Sequence, residues 1–244
     1  LDTLIQYIIT ENRFLDLSKQ WKSFLDLYDN QLQTQISIIF DSEYPTIIDS
    51  DKRKLRIDFK NDGLNYKKKK AGLQSESISR ALGAGKKGLR VLDLSAGMGI
   101  DSVFLAQMGY HVTAIERNPV LFLALDQALQ QARQQNLDFA ENIEFIFSDA
   151  IDYLKKTEQV FDVCYFDPMF PQKKKMALPR QEMVLFKNLV GSDDDAADVL
   201  KLAINSKKFN RCVVKRPLSA QPLLLASGAV TGKIIRYDIY GGTA

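Results

Sequence analysis

The 244-residue sequence is poor in the residues that carry much enzyme chemistry: it has one histidine, two cysteines and one tryptophan. That there is a single histidine, His111, argues against Ser-His-Asp, Cys-His and multi-histidine zinc chemistry, and His111 itself is placed to open a strand. Cys164 and Cys212 lie in apolar stretches far apart and belong to no metal-spaced cluster, so they read as buried thiols of a reducing cytoplasm, with no metal expected. Long apolar runs are also missing. Stretches such as Val163 to Phe166 and Leu223 to Ala226 fall far short of the roughly 20 residues that span a bilayer, so no membrane association is expected. No basic segment and apolar run of a secretion signal follow Leu1-Asp2, which makes the cytoplasm the expected location, although the lack of an initiator Met leaves the true start open.

What is present is an ordinary globular composition, 45% hydrophobic and 26% charged, which is enough apolar material for a core. Length allows one α/β domain of roughly 150 to 200 residues and a smaller appendage. Net charge is only +3, but the lysines are clumped at Lys67, Lys68, Lys69 and Lys70 and again at Lys173, Lys174 and Lys175, and local patches matter more than the sum.

Residues 1–62 read as a small α+β appendage. Trp21, Phe24, Leu25 and Tyr28 keep helical spacing and form a packing face, and strands are expected at Ile36 to Phe40 and Leu55 to Phe59. Asn61-Asp62-Gly63 is a turn signal and marks the boundary with the second unit, residues 63–244. From Arg90 onward short β-branched strands alternate with amphipathic helices. Strands are expected at Arg90 to Leu94, Val112 to Ile115, Ile143 to Phe147, Val160 to Phe166, Cys212 to Lys215 and Ile234 to Tyr240. Helices are expected at Ile100 to Met108, Pro119 to Gln135, Ala150 to Lys156 and Ala196 to Lys207. That alternation predicts right-handed βαβ units and a Rossmann-like parallel sheet with helices on both faces.

The first strand places Asp93 inside it and Gly97 and Gly99 in the turn that follows, where glycine lets the backbone approach a ligand closely. Position 102, where a dinucleotide fingerprint has its third glycine, holds Ser102, which weakens an NAD reading. Glu116 closes the second strand seventeen residues after Gly99, close to the ~20-residue interval at which a carboxylate reaches ribose hydroxyls. Asp149 and Ala150 stand at the end of the third strand, with an acceptor for an adenine amino group and a backbone N–H for its ring. A turn glycine, a helix cap or a solvated acid explains each residue singly, but three successive strand ends explain the set less well. The order matches class I methyltransferases and makes S-adenosylmethionine the expected cofactor.

The fourth strand runs into Asp167-Pro168-Met169-Phe170-Pro171, which resembles the Asp/Asn-Pro-Pro-aromatic motif of amino-group methyltransferases, with Met169 in place of the second proline. A conjugated exocyclic amine is a poor nucleophile. A carboxylate and a backbone carbonyl that accept its two N–H bonds draw the nitrogen toward sp3 geometry and aim its lone pair, roles that fit Asp167 and the Pro168 carbonyl. Phe170 would stack on a flipped base.

These residues resemble the bacterial ribosomal RNA small subunit methyltransferase J family, guanine-N2 methyltransferases of 16S rRNA. The likeness also runs through Ala96 to Asp101, Glu116 to Pro119, Glu182-Met183, Leu189-Val190-Gly191, Val213 to Pro217 and Tyr237 to Tyr240, and it covers about three quarters of the chain. It implies cofactor contacts at Ile100 and Asp101, Glu116 and Arg117, Asp149 and Ala150, and Asp167. It also implies 16S rRNA as partner, within the small subunit or an assembly intermediate. Lys215 and Arg216 join the two lysine runs as candidate phosphate contacts. Three alternatives stay open: methylation of an adenine or of a protein glutamine, a module that binds without chemistry, and, weakest, an NAD-dependent oxidoreductase.

Overall fold

The computed structural model describes residues 4–28, 34–60, 77–83, 88–169 and 180–241. Two sheets organise them. The first, in the order β1-β2-β3-β4, comprises β1 (Ile5–Ile9), β2 (Ile36–Phe40), β3 (Thr46–Asp49) and β4 (Lys54–Leu55). β1 and β2 run parallel, which requires a crossover, and helix α1 (Leu15–Leu25) supplies it. The helical face expected around Trp21 and Leu25 is buried, and the Trp21 ring meets Phe40 edge-on at 5.6 Å between centroids. Of the two strands expected in this region, Ile36 to Phe40 forms as read. The segment from Leu55 to Phe59 pairs only at its first residue, because Ile57 and Phe59 are buried as irregular chain rather than in a ladder. β1 and β3 were not foreseen.

After a helical stretch α2 over residues 77–82, the second sheet has seven strands: β5 (Arg90–Asp93), β6 (His111–Glu116), β7 (Ile143–Phe147), β8 (Phe161–Phe166), β9 (Phe209–Pro217), β10 (Gly228–Thr231) and β11 (Ile235–Tyr240). Their order is β10-β11-β9-β8-β5-β6-β7. β5 to β9 are mutually parallel, while β11 runs antiparallel to β9 and β10 to β11. The sheet therefore has one antiparallel edge beyond the expected parallel body. Its helices are α3 (Ile100–Gln107), α4 (Pro119–Gln134), α5 (Ala150–Lys156), α6 (Gln181–Val190) and α7 (Ala196–Asn205).

Strand alternation divides the core. Val91, Val163, Tyr165 and Val213 pack with α3 and α4, whereas Leu92, Cys164, Phe166 and Val214 pack with α5 and α7. The N-terminal sheet belongs to the first of these cores, and Gln127 of α4 and Gln135, which caps its C-terminus, donate to the Glu43 carbonyl and the Tyr44 hydroxyl at 3.0 and 2.9 Å. The boundary expected at residue 62 falls outside the described residues. Among the described residues no helix is long and apolar enough to cross a membrane.

Candidate active site

β6 and β7 lie on one side of β5 and β8 lies on the other, so the chain reverses direction of travel at β5. Open α/β sheets bind ligands at such a switch point, beyond the carboxyl ends of the strands. A cavity of about 330 Å³ opens there. Its wall includes Gly97, Ile100, Asp101, Glu116, Arg117, Ala150 and Asp167, all expected from the sequence.

Three expected cofactor residues shape this cavity from outside its lining. Asp93 is buried; its carboxylate accepts from the Ser95 N–H at 3.0 Å and from the Ser102 hydroxyl at 2.5 Å. Ser102 is thus the donor that satisfies a buried acid, which is why no glycine stands there. Gly99 caps α3 with φ +73°, and a Cβ there would come within 2.7 Å of the Leu125 side chain. Asp149 caps α5 by accepting from the Ile151 and Asp152 N–H groups, and it lies 3.8 Å from Arg117.

Glu116 closes β6 with both carboxylate oxygens aimed at backbone: one accepts from Gly97 N–H and the other from Asn118 N–H, each at 2.8 Å. Burial raises its pKa to about 7, against the pull of those two donors, and burial likewise raises Asp93 to about 6. In the folded chain each acid therefore holds a proton up to a higher pH than in the unfolded chain. Their stabilising contribution is complete below the ordinary carboxylate range and is lost as pH rises through 6 and 7. Denaturant unfolding of the ligand-free protein between pH 5 and 8 is expected to show this loss, at up to about 1.4 kcal/mol per pH unit for each group. Glu116→Gln should remove the part of the slope that persists from pH 6 up to about 7, beyond the range of Asp93, and an unchanged pH profile in that variant would contradict the assignment.

Arg117 is held by three carboxylates. It meets Asp193 at 2.5 Å, Asp195 at 3.0 Å and Asp149 at 3.8 Å. Burial opposes its charge, but Asp193, Asp195 and Asp149 outweigh burial and raise its pKa. Asp193 also accepts the Met169 N–H at 2.6 Å, so the loop after α6 fastens the loop after β8. Asp193 and Asp195 both line the cavity, as do Met183, Phe186 and Val190 of α6. None of these five was singled out as a site residue from sequence, although apolar positions 183, 186 and 190 keep the i, i+3, i+7 spacing of a helix face.

At the other end of the wall Asp167 donates its N–H to the Ser95 hydroxyl at 2.8 Å, and its carboxylate meets Lys215 at 2.8 Å. Pro168 is buried behind it. Phe170, Lys67 to Lys70 and Lys173 to Lys175 lie outside the described residues. The expectation for Lys215 and Arg216 as phosphate contacts is corrected here. Lys215 lines the cavity and pairs with Asp101 and Asp167, and Arg216 is buried and donates to the Gln221 carbonyl, because adjacent strand residues face opposite sides of the sheet. Neither presents an open cationic surface.

The site suits a cationic nucleoside cofactor. Gly97, at φ +57°, brings backbone to the cavity, a buried carboxylate closes the second strand, and Ala150 begins a helix at the third. Residues 20–242 match the model of the family described as "Putative SAM-dependent methyltransferase". The chain belongs to this family. It is 42% identical to ribosomal RNA small subunit methyltransferase J of Bdellovibrio bacteriovorus over 92% of this chain and 90% of the relative. Its identity to the Coxiella burnetii protein of the same name is 40%, over 76% and 74% of the two chains. The crystal structure of the SAM-dependent methyltransferase NGO1261 from Neisseria gonorrhoeae shares the fold, with a TM-score of 0.71, 22% identity and coverage of 96% and 95%. This family member is thus an S-adenosylmethionine-dependent methyltransferase of α/β Rossmann-like fold, related to the small subunit methyltransferases J.

Proposed function

We propose that this methyltransferase modifies the exocyclic N2 amine of a guanine in 16S ribosomal RNA, in the small subunit or an assembly intermediate, in the cytoplasm. The observation that carries the chemistry is Asp167, a carboxylate at the end of β8 on the wall of the cofactor cavity. The names of the relatives support small-subunit ribosomal RNA as the substrate, and the guanine N2 amine is what the family resemblance of the sequence implies. In this reading residues 1–62 are the appendage and residues 63–244 the methyltransferase unit.

When bound, the cofactor supplies a methyl group on a cationic sulfur. Gly97 and Ala150 offer backbone to the cofactor, Glu116 offers acceptor oxygens to its ribose, and Asp101 lies on the same wall. Asp167 and the Pro168 carbonyl accept the two N–H bonds of the amine and hold its lone pair toward the methyl carbon. Rate enhancement comes mainly from proximity and orientation, with no covalent intermediate on the protein. Phe170 is assigned the stacking of the flipped base, and Lys67 to Lys70 with Lys173 to Lys175 the phosphates of the RNA.

Unmethylated small subunits incubated with labelled cofactor should yield labelled N2-methylguanosine after nucleoside digestion. Label in N6-methyladenosine, or in protein, would overturn the substrate assignment. Replacing the lysines of both runs by alanine should flatten the salt dependence of RNA binding by about 0.7 to 0.9 in log-log slope per lost phosphate contact, and leave cofactor affinity unchanged. An identical slope would make the runs solubilising faces.

A further inference from the structure

Lys215 is a cation on β9 turned into the cavity, on the same sheet face as Val213 and Tyr165. Its ammonium meets two carboxylates from different elements: Asp101, in the first turn of α3, at 2.5 Å, and Asp167, at the end of β8, at 2.8 Å. The Tyr165 hydroxyl donates to the same Asp101 oxygen at 2.9 Å. Burial works against the ammonium charge, yet Asp101 and Asp167 outweigh it and keep the pKa of Lys215 above its ordinary value. Lysine is a point charge with three donors on a flexible stem, suited to bridging acids that approach from different directions.

We infer that Lys215 is the positioning residue for Asp167, fixing the plane and the charge of the carboxylate that receives the substrate amine. This rests on the assignment of Asp167 to the amine. Without the ammonium, Asp101 and Asp167 are two acids on one cavity wall with no shared cation between them, and repulsion and burial favour a proton on one of them. A protonated or rotated Asp167 no longer offers a charged acceptor at the place where the amine must lie. With the ammonium in place the three groups carry one net negative charge beside a cationic cofactor. That charge would remain while the nitrogen's lone pair formed the N–C bond, the C–S pair returned to the sulfur of the bound cofactor, and the cationic amine passed its proton to solvent water.

The test compares wild type, Lys215→Met, Lys215→Arg, Asp167→Ala and the Lys215→Met/Asp167→Ala double variant by single-turnover transfer of labelled methyl to unmethylated small subunits. Lys215→Met should slow transfer about tenfold to a hundredfold, the range a charge-assisted hydrogen bond supplies. S-adenosylhomocysteine affinity measured by calorimetry should fall by a smaller factor than the rate, since Asp101 on the cavity wall loses the same cation while Asp167 loses the charge that receives the amine. The double variant should be no slower than Asp167→Ala alone, because one residue acts through the other. Lys215→Arg restores the charge and should recover part of the rate. If Lys215→Met melts far below wild type, Lys215→Arg carries the comparison: a partial rate loss that disappears in the Asp167→Ala background supports the inference, and additive losses in Lys215→Arg/Asp167→Ala overturn it. A wild-type rate in Lys215→Met, or a loss confined to S-adenosylhomocysteine affinity, overturns it as well. The identity of the labelled nucleoside made by wild type tests the substrate separately, and the rate ratios are read on whichever product forms.

Discussion

Asp167→Ala is expected to slow single-turnover methyl transfer by at least about a hundredfold, equivalent to roughly 2.7 kcal/mol of transition-state stabilisation. The amine gains positive charge as it attacks, so its interaction with a carboxylate strengthens toward the transition state rather than in the ground state. RNA affinity should therefore change far less than rate. Asp167→Asn keeps the shape of the side chain and the N–H donated to Ser95 but loses the charge and the pairing with Lys215, so most of the rate should remain lost. Near-wild-type rates in Asp167→Ala would leave the residue as the turn that ends β8 and nothing more.

The second large effect is expected on cofactor binding. Gly97→Val should weaken S-adenosylhomocysteine affinity by at least about a hundredfold, or roughly 2.7 kcal/mol. Two costs add. At φ +57° a side chain is strained, by about 1 to 2 kcal/mol. A Cβ at this position would also stand 3.1 Å from the Phe186 ring, in the space where backbone and α6 face each other across the cavity. Calorimetry on a variant shown by circular dichroism to be folded measures this directly. Binding within threefold of wild type would remove Gly97 from the cofactor site. Phe186→Ala in the Gly97→Val background should restore only part of the affinity, since the backbone strain stays.

The sequence carried the architecture around β5 to β9 well because local and global signals agree there. α4 has Asn118 as a capping side chain, Pro119 in its first turn and an apolar stripe, and it ends within one residue of the expected position. α5 has the Asp149 cap and forms over the expected residues. The strand-end positions of Glu116 and Asp167 were legible because a carboxylate closing a short strand of β-branched or aromatic residues is a local pattern. β1, β3 and β10 were not legible: each is five residues or fewer, and their pairing depends on partners elsewhere in the chain. Asp193 and Asp195 sit in a run of four charged or polar residues before α7, and nothing in that run announces that Arg117 and Met169 come to meet them. Lys215 misled for a related reason. Beside Arg216 it reads as a basic pair, and only the alternation of β9 sends one side chain to the cavity and buries the other on the opposite face.

Ser95 joins what the chain otherwise keeps 72 residues apart: from the turn after β5 its N–H and hydroxyl face Asp93 at the strand's end, and its oxygen receives the Asp167 N–H from the turn after β8. The two turns are consequently tied through one side chain. Ser95→Ala is therefore expected to disturb cofactor grip and amine alignment together, where changes at Gly97 or Asp167 act on one of them first.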